Sequence, residues 1–336
     1  MIESIAALGF PWQTRDPFLF CAYHNDAYPK GSANQGPAES LAGRQLGQDF
    51  DPHNGWRMYH GSVVPGFPQH PHRGFETITI VERGYVDHSD SLGATARFGP
   101  GDVQWLTAGR GIVHAEMFPL RDREAENPLE LFQVWLNLPA ADKFADPYFT
   151  MLWRDAIPEV RSGGTRVRVV AGQYESAKGP GAPPSSWASR PEAHINIWTV
   201  EIGEGERLVL PKTAADCRRT LYLYAGDSLS IDETPIPNQH MISLRPGIDV
   251  PLRNAGGRAR LLLLEGRPIG EPVAHYGPFV MNSQEELEQA FADYRRTGFG
   301  GWPWRDDAPV HARAKGRFAL HTDGRTEKPE GLERSG

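Results

Sequence analysis

Short hydrophobic runs, each closed by a turn-forming residue, fill most of the chain. Between Trp56 and about Val170 these runs are rich in β-branched and aromatic residues, and many alternate apolar with polar positions. They recur about every ten residues, as WRMYHGSVV, TITIVERG, ATARFGPGDVQWL, IVHAEMF and LELFQVWLNL. Because alternation places successive side chains on opposite faces of a strand, this pattern predicts a β-sandwich or β-barrel.

A second series of similar runs predicts a second barrel. Its members are TRVRVVAG, INIWTVEIG, ERLVLP, RTLYLYAGDSLSI and RARLLLLEG. The Pro-, Gly- and Ser-rich segment 176–186 could be a linker, but we favour a boundary near Asp155, with TRVRVVAG opening the second barrel and 176–186 an excursion within it. The predicted division is therefore a first barrel at 1–155, a second at 156–300 and a polar extension at 301–336.

The two series resemble a worn internal repeat. VERGYVDHSDSLG followed by FGPGDVQWL is echoed by LYAGDSLSI followed by SLRPGIDVPL. Both copies read as strand, glycine turn, strand, Pro-Gly turn and strand. Since a repeat decides architecture, the predicted fold class is all-β, with two tandem jelly-roll-like barrels.

One short helix is predicted near the C-terminus. Ser283 can cap it while Glu286 reaches back, and Gly298 can end it. Its apolar positions share one face, as expected of a helix packed on a barrel rather than one that binds a partner: Leu287, Ala290, Phe291 and Tyr294.

The segment after Trp304 is polar and poor in apolar residues. It predicts a loosely held tail that proteases cut beyond Arg305, although Phe318 and Leu320 could dock on a barrel.

Charge and cysteine content narrow the function classes. With 35 basic and 42 acidic residues the net charge is -7, so no direct binding to nucleic acid is expected. Cys21 and Cys217 are far apart and predict free thiols in a reducing compartment. The longest tight apolar cluster, 261–264, is far shorter than the ~18 residues that span a membrane. The first residues lack the pattern of a secretory signal, so we expect a cytoplasmic protein without membrane contact.

The candidate chemistry begins at His70-Pro71-His72. On a strand, residues i and i+2 point to the same face about 6–7 Å apart, so two imidazoles can converge on one ion. Pro71 lacks a backbone donor, which suits an edge strand.

A second pair, His114 and Glu116, has the same spacing within another predicted strand. On facing strands the two pairs would supply three nitrogens and one carboxylate, leaving one or two coordination positions open. This donor set suits Fe(II), Mn, Ni, Cu or Zn, and open positions indicate a reactive site. We therefore predict one transition-metal ion bound by His70, His72, His114 and Glu116.

Other polar residues near these pairs receive more modest interpretations. Glu76 could be a fifth ligand, but we favour it as an acceptor for an imidazole N–H. Arg73 and Arg110 could steer an anionic substrate or tie down a loop. The remaining isolated histidines are interpreted as ordinary side chains, His88 least securely because it lies one hairpin from the pairs: His60, His88, His194, His240 and His275.

Several of these segments resemble the signatures of the pirin family, which belongs to the cupin superfamily. They are HPHRGFET, SDSLG, GPGDVQWLTAGRGIVHAEM and EPVAHYGPFVMNSQEEL, and the resemblance runs from about Asp16 to Gly298. It implies two cupin barrels face to face, with iron held by His70, His72, His114 and Glu116. Unlike the general cupin pattern, the acidic ligand comes from the second pair.

The second half departs from a metal-binding cupin. Where the repeat would place a second H-x-H, the sequence reads KTAADCRR. The second barrel is therefore expected to bind no metal.

The resemblance also implies function. Some pirins are described as quercetin 2,3-dioxygenases, which open a flavonol ring with O2, and others as regulatory partners of proteins in transcription or metabolism. Our first hypothesis is an Fe(II)-dependent dioxygenase acting on a flavonol-like molecule and O2, with Glu116 as the catalytic base. The alternative is a non-catalytic, metal-dependent regulatory protein that binds a protein partner, and a third is a bicupin whose metal is only structural.

Overall fold

The computed structural model describes residues 1–329, which are built mostly of strands. In the first part of the chain these are β1 (Ile2–Ala7), β2 (Phe18–Tyr28), β3 (Gly66–His72), β4 (Phe75–Arg83), β5 (Val86–Asp90), β6 (Thr95–Phe98), β7 (Val103–Thr107), β8 (Ile112–Met117), β9 (Asn127–Asn137), β10 (Tyr148–Leu152), β11 (Glu159–Ser162), β12 (Thr165–Ala171) and β13 (Gln173–Tyr174). The rest are β14 (Ala177–Lys178), β15 (Asn196–Ile202), β16 (Arg207–Leu210), β17 (Arg218–Ala225), β18 (Leu229–Ile231), β19 (Thr234–Pro235), β20 (His240–Leu244), β21 (Val250–Asn254), β22 (Ala259–Gly266), β23 (Ala274–Tyr276), β24 (Phe279–Met281), β25 (Phe318–Leu320) and β26 (Thr326–Glu327). Short 3-10 turns lie at Ala140–Asp142, Arg154–Ala156, Trp187–Ser189, Pro191–Ala193 and Gly298–Gly300.

The strands divide between two compact units, each made of three chain segments. Among the described residues, unit 1 contains 1–22, 134–139 and 155–270, and unit 2 contains 23–133, 140–154 and 271–329. This differs from the predicted consecutive division at 1–155, 156–300 and 301–336. The first residues join unit 1 because β1 pairs with β20, a long-range pairing that local sequence does not reveal. The all-β class with a short C-terminal helix is confirmed.

Unit 1 consists mainly of a seven-stranded sheet and a four-stranded sheet. The sheet orders are β1-β20-β17-β22-β15-β12-β11 and β16-β21-β18-β19. Aliphatic side chains from both sheets meet in one core, for example Leu223, Leu261 and Leu263 with Leu210 and Leu252. The segment 176–186 lies inside this unit.

Unit 2 carries the six-stranded sheet β26-β25-β6-β5-β8-β3. A five-stranded sheet, β10-β7-β4-β9-β2, belongs largely to the same unit, with the ends of β2 and β9 assigned to unit 1. Strand β3 is at one edge of the six-stranded sheet, as Pro71 predicted.

The predicted helix is confirmed as α1 (Gln284–Thr297), which belongs to unit 2. The Ser283 hydroxyl accepts from Glu286 N at 3.2 Å, while the Glu286 carboxylate reaches one residue further back than predicted, to Asn282 N at 2.8 Å. Gly298 ends the helix in the left-handed region at φ 55°. Leu287 and Ala290 are buried in a cluster that includes Val113 and Phe279, so the helix packs on the strands as expected.

The C-terminal segment corrects the prediction of a loosely held tail. Strand β25 pairs with β6, and Phe318 and Ala319 are buried. Arg97 donates to the carbonyl oxygens of Ala312 and Lys315, at 2.9 Å each. A polar segment is held here by hydrogen bonds to its backbone, which low hydrophobicity does not reveal. The last part of the predicted extension, 330–336, lies outside the described residues.

Both cysteines are free, as predicted, and both are buried. Among residues 1–329, no helix has the length and hydrophobicity needed to cross a membrane.

Candidate metal centre

Strands β3 and β8 bring the two predicted residue pairs together. They run antiparallel with His70 opposite His114 and His72 opposite Ile112. The register shifts between Phe67 and His70, where Pro68 interrupts the pairing pattern. Each i, i+2 pair therefore presents its side chains on the same face of one sheet.

The three imidazoles form a compact group. One ring nitrogen from each of His70, His72 and His114 can be chosen so that all three lie within 4.8 Å of one another. The ring centroids are 4.5 Å apart for His70 and His114, 4.7 Å for His70 and His72, and 4.9 Å for His72 and His114. In the described part of the chain, this is the one such cluster of His, Cys, Asp or Glu side chains.

The hydrogen bonds of these rings fit metal binding. His114 is fully buried, and neither of its ring nitrogens has a hydrogen-bond partner within residues 1–329. The Nδ1 atoms of His70 and His72 lie 2.8 Å from Pro68 O and 3.4 Å from Pro278 O, where each can donate its proton. That arrangement leaves Nε2 of both rings as a lone-pair donor to an ion.

Burial keeps these imidazoles neutral, which metal binding requires. It lowers the pKa of His70 to about 4, against the Pro68 carbonyl, which favours the charged ring. Burial, together with repulsion from neighbouring histidines, holds the pKa of His72 and His114 well below the ordinary value of 6.5. The group is therefore ready to accept a cation near neutral pH.

Glu116 borders the group from strand β8. Its Oε2 atom is 4.0 Å from His114 Nε2, although it is not one of the three clustered residues. The Thr79 hydroxyl donates to Glu116 Oε1 at 2.9 Å, and Gln133 Nε2 donates to Oε2 at 2.8 Å. Burial raises the pKa of this carboxyl, against the effect of these two bonds. Glu116 is thus a buried carboxylate oriented beside the imidazoles.

Glu76 is not one of the three clustered residues. Its buried carboxylate accepts from Trp105 Nε1 at 2.9 Å and from the Thr107 hydroxyl at 2.6 Å. These bonds join β4 to β7.

The two arginines beside the ligand pairs are used in local structure. Arg73 Nε donates to Arg110 O at 2.7 Å, and its NH1 group pairs with Asp293 at 2.8 Å. Arg110 pairs with Asp146 at 2.8 Å on the surface. The contacts of Arg73 favour the loop-tying interpretation over substrate steering.

His88 was interpreted as an ordinary side chain, but the structure places it beside a candidate metal ligand. It is fully buried, and it lies opposite Glu116 in the pairing of β5 with β8. Its Nε2 is 3.1 Å from Asp90 Oδ2, and its ring centroid is 5.5 Å from that of His114. The signal available in the sequence was that His88 lies one hairpin away from the predicted ligand pairs.

Aromatic side chains lie beside His70. The ring of Phe67, half-buried, is 6.3 Å from that of His70 and 5.6 Å from that of His60. Phe50, which is 37% exposed, lies 5.0 Å from His60 and 6.4 Å from Phe67. This cluster forms a partly exposed aromatic surface next to the candidate metal ligands. His194, His240 and His275 lie outside the group.

Comparison with known proteins adds family information to this geometry. The model of the Pirin family matches residues 4–136, and that of the Pirin C-terminal cupin domain matches residues 197–300. A Pseudomonas aeruginosa protein provisionally named quercetin 2,3-dioxygenase is 38% identical over 235 residues, which are 69% of this chain and 79% of the relative. Pirin from Homo sapiens is 34% identical over 263 residues, covering 77% and 86%.

The fold has a counterpart among solved structures. The crystal structure of quercetin 2,3-dioxygenase from Acinetobacter baumannii matches 89% of this chain and 98% of its own. The TM-score is 0.69 and the sequence identity is 27%.

Proposed function

Because this chain belongs to the pirin family of the cupin superfamily, we propose that it is an Fe(II)-dependent dioxygenase that opens the ring of a flavonol or similar enol with O2. His70, His72, His114 and Glu116 would hold the ion. The observation that carries this proposal is the convergence of three neutral imidazoles, with both nitrogens of buried His114 lacking a hydrogen-bond partner among the described residues. A bound iron would supply Lewis acidity and one-electron chemistry.

Glu116 is suited to the role of general base. Thr79 and Gln133 each bind one of its carboxylate oxygens, so its orientation is fixed before a substrate arrives. Burial raises its pKa and makes the carboxylate a stronger base than an exposed glutamate. In this role Glu116 accepts the proton of the substrate hydroxyl on one of its carboxylate oxygens.

The aromatic surface beside His70 supports a flat, aromatic substrate. The rings of Phe67 and Phe50 lie 6.4 Å apart, and Phe50 is accessible to solvent. Aromatic side chains stack well on planar ring systems. A flavonol would lie against these rings with its enol directed toward His70 and Glu116.

The test is turnover of quercetin by iron-loaded protein, with O2 uptake measured in parallel. We expect matched consumption of both, faster than with the same concentration of free iron. Glu116→Gln should lose most of the rate because Gln keeps the size and an acceptor oxygen but removes the base. Glu126→Gln, an exposed change in the same unit, is the control and should keep the full rate.

A rate no better than that of free iron, or one unchanged by Glu116→Gln, would contradict the proposed dioxygenase activity. Such a result would favour the alternative, a metal-dependent regulatory protein. One observation supports that alternative: the Arg73 guanidinium, next to His72, lies 5.5 Å from the ring of Phe144, which is 57% exposed. Phe144 is exposed and lies close to Arg73, which follows a candidate metal ligand, so it is placed to contact a protein partner.

A further inference from the structure

The segment 301–328, here called the C-terminal strap, begins where the match to the C-terminal family model ends at residue 300. It belongs to unit 2. Most of its side chains are partly or fully exposed, yet its backbone and polar groups make specific bonds to the six-stranded sheet. These bonds fall next to the candidate metal ligands.

One contact of the strap is made by Asp307 with β3, at the edge of the sheet. Gln69 N donates to Asp307 O at 2.7 Å, and Gln69 Nε2 donates to Asp307 Oδ1, also at 2.7 Å. Gln69 immediately precedes His70. One residue of the strap therefore fixes both the backbone and the side chain of the residue before a candidate ligand.

A second contact reaches the strand beside β8. Trp304 Nε1 donates to Asp90 O at 2.8 Å. Asp90 lies opposite His114 in the pairing of β5 with β8, and its side chain contacts His88. The strap thus holds the backbone on both sides of β8, at β3 and at β5.

The far end of the strap is anchored on buried charges. Arg97 pairs with Asp87 through two bonds of 2.6 Å and 2.7 Å, and both side chains are fully buried. His311 N donates to Asp87 Oδ2 at 2.8 Å, and His311 O accepts from Arg97 at 3.1 Å. Strand β25 then extends the sheet beyond β6. The strap therefore contacts the sheet from β3, at one edge, to β6, which pairs with β25.

We propose that the C-terminal strap retains metal by clamping the ligand-bearing sheet, and that Asp307 is a positioning residue that holds His70 through Gln69. Release of a bound ion then requires β3 to move, and the Asp307–Gln69 contact must open for that movement. This inference rests on the proposed metal centre, but it does not depend on dioxygenase activity.

The experiment uses full-length protein loaded with Co(II), whose visible spectrum reports the geometry of its ligands. Release to excess chelator is followed at about 25 °C by the loss of that spectrum. Because loss of an outer-shell partner typically weakens metal binding by about 10–100-fold, and the backbone bond to Asp307 O remains, we expect Asp307→Ala to release cobalt about 3- to 10-fold faster. Its cobalt spectrum should change as well, which a purely structural loss of stability would not cause.

Four further variants sharpen the test. Gln69→Ala should speed release like Asp307→Ala, and the double variant should be no faster than either alone because both remove one contact. Asp307→Asn keeps an acceptor oxygen for Gln69 and should restore slow release. Asp306→Ala is the matched control, since its carboxylate accepts from Ala308 N within the strap.

Two outcomes would contradict the proposal at different levels. Equal release rates and equal spectra for cobalt-loaded wild type and Asp307→Ala would overturn the strap's role and leave the metal centre standing. Wild-type protein that takes up no cobalt would overturn the metal centre and this inference with it.

Discussion

The cores of the two units differ in what they bury. Unit 1 fills the space between its sheets with a cluster of hydrophobic side chains, largely Leu, Ile and Val. Unit 2 also has an apolar core, but its six-stranded sheet buries His72, His88, His114 and Glu116 next to one another. Strand β22 of unit 1 is a run of leucines, whereas β8 of unit 2 alternates Val113 and Ala115 with His114 and Glu116.

The buried imidazoles of unit 2 carry an energetic cost that an aliphatic cluster does not. Burying aliphatic groups stabilises a fold by about 25 cal/mol per Å² of apolar surface. A buried polar group without a partner costs about 1–3 kcal/mol, and His114 has two such nitrogens in the described structure. These two nitrogens of His114 are therefore a local cost in unit 2 that a bound cation would offset.

The largest expected effect is on metal content. Iron-supplemented wild-type protein should carry about one transition-metal ion per chain, and His114→Ala should carry close to none because one of three converging imidazoles is lost. His240→Ala, in unit 1, should keep the full content. Metal analysis and circular dichroism check both variants. Two ions per chain, or an unfolded His114→Ala, would break the comparison between the units.

A core truncation in unit 1 should have the next largest effect. Leu261→Ala removes a fully buried side chain and leaves a cavity, so we expect a loss of about 2–5 kcal/mol in unfolding free energy. Metal content per folded chain should not change. Denaturant unfolding with parallel metal analysis measures both quantities. A loss below about 1 kcal/mol would show that the unit 1 core is not closely packed at this position.

The metal-free protein should lose stability in mild acid. The pKa of His70 is lowered to about 4, from 6.5 in the unfolded chain, so the unfolded state binds a proton first as pH falls. Above about pH 6.5 this proton does not affect the unfolding free energy. As the pH falls from 6.5 toward 4, protonation of His70 in the unfolded chain lowers the unfolding free energy by up to about 1.4 kcal/mol per pH unit. Denaturant unfolding at about pH 7 and pH 5 should show this dependence, and His70→Gln should reduce it. An identical dependence in that variant would contradict the assignment.

The smallest expected effect is a gain in stability rather than a loss. His114→Leu replaces a buried ring that lacks hydrogen-bond partners by an apolar side chain, so the metal-free variant should be about 1–2 kcal/mol more stable than metal-free wild type. It should bind no metal. A thermal melt in the presence of chelator compares the two proteins. If the variant is less stable, the His114 ring contributes packing that outweighs its unpaired nitrogens.

Part of the candidate site in unit 2 could be predicted from the sequence because the information for it is local. The i, i+2 spacing of His70 with His72 and of His114 with Glu116 follows from strand geometry, and the structure brings the three histidines together. The sequence did not predict that Thr79 and Gln133 bind Glu116, since these residues come from strands 37 and 17 positions away. His88 needed the register of β5 against β8.

Long-range pairing also explains why the two units differ from the predicted division and why the tail is bound to the sheet. Residues of β1 look like a short amphipathic strand, and nothing in them specifies β20 as the partner. The strap is largely polar, and apart from the buried Phe318 and Ala319 it is held by Arg97, Asp87 and backbone groups. Hydrophobic periodicity detects apolar contacts and misses this kind of anchoring.

Strand β3 has a further consequence for behaviour at high concentration. An edge strand with free backbone groups is a template for strand addition by another molecule, and therefore for aggregation. In β3, Pro68 and Pro71 have no amide hydrogen to offer, and the amide of Gln69 is already bonded to Asp307. At the opposite edge, β26 is only two residues long. The features that support the candidate metal ligands thus also protect the sheet from intermolecular β-pairing.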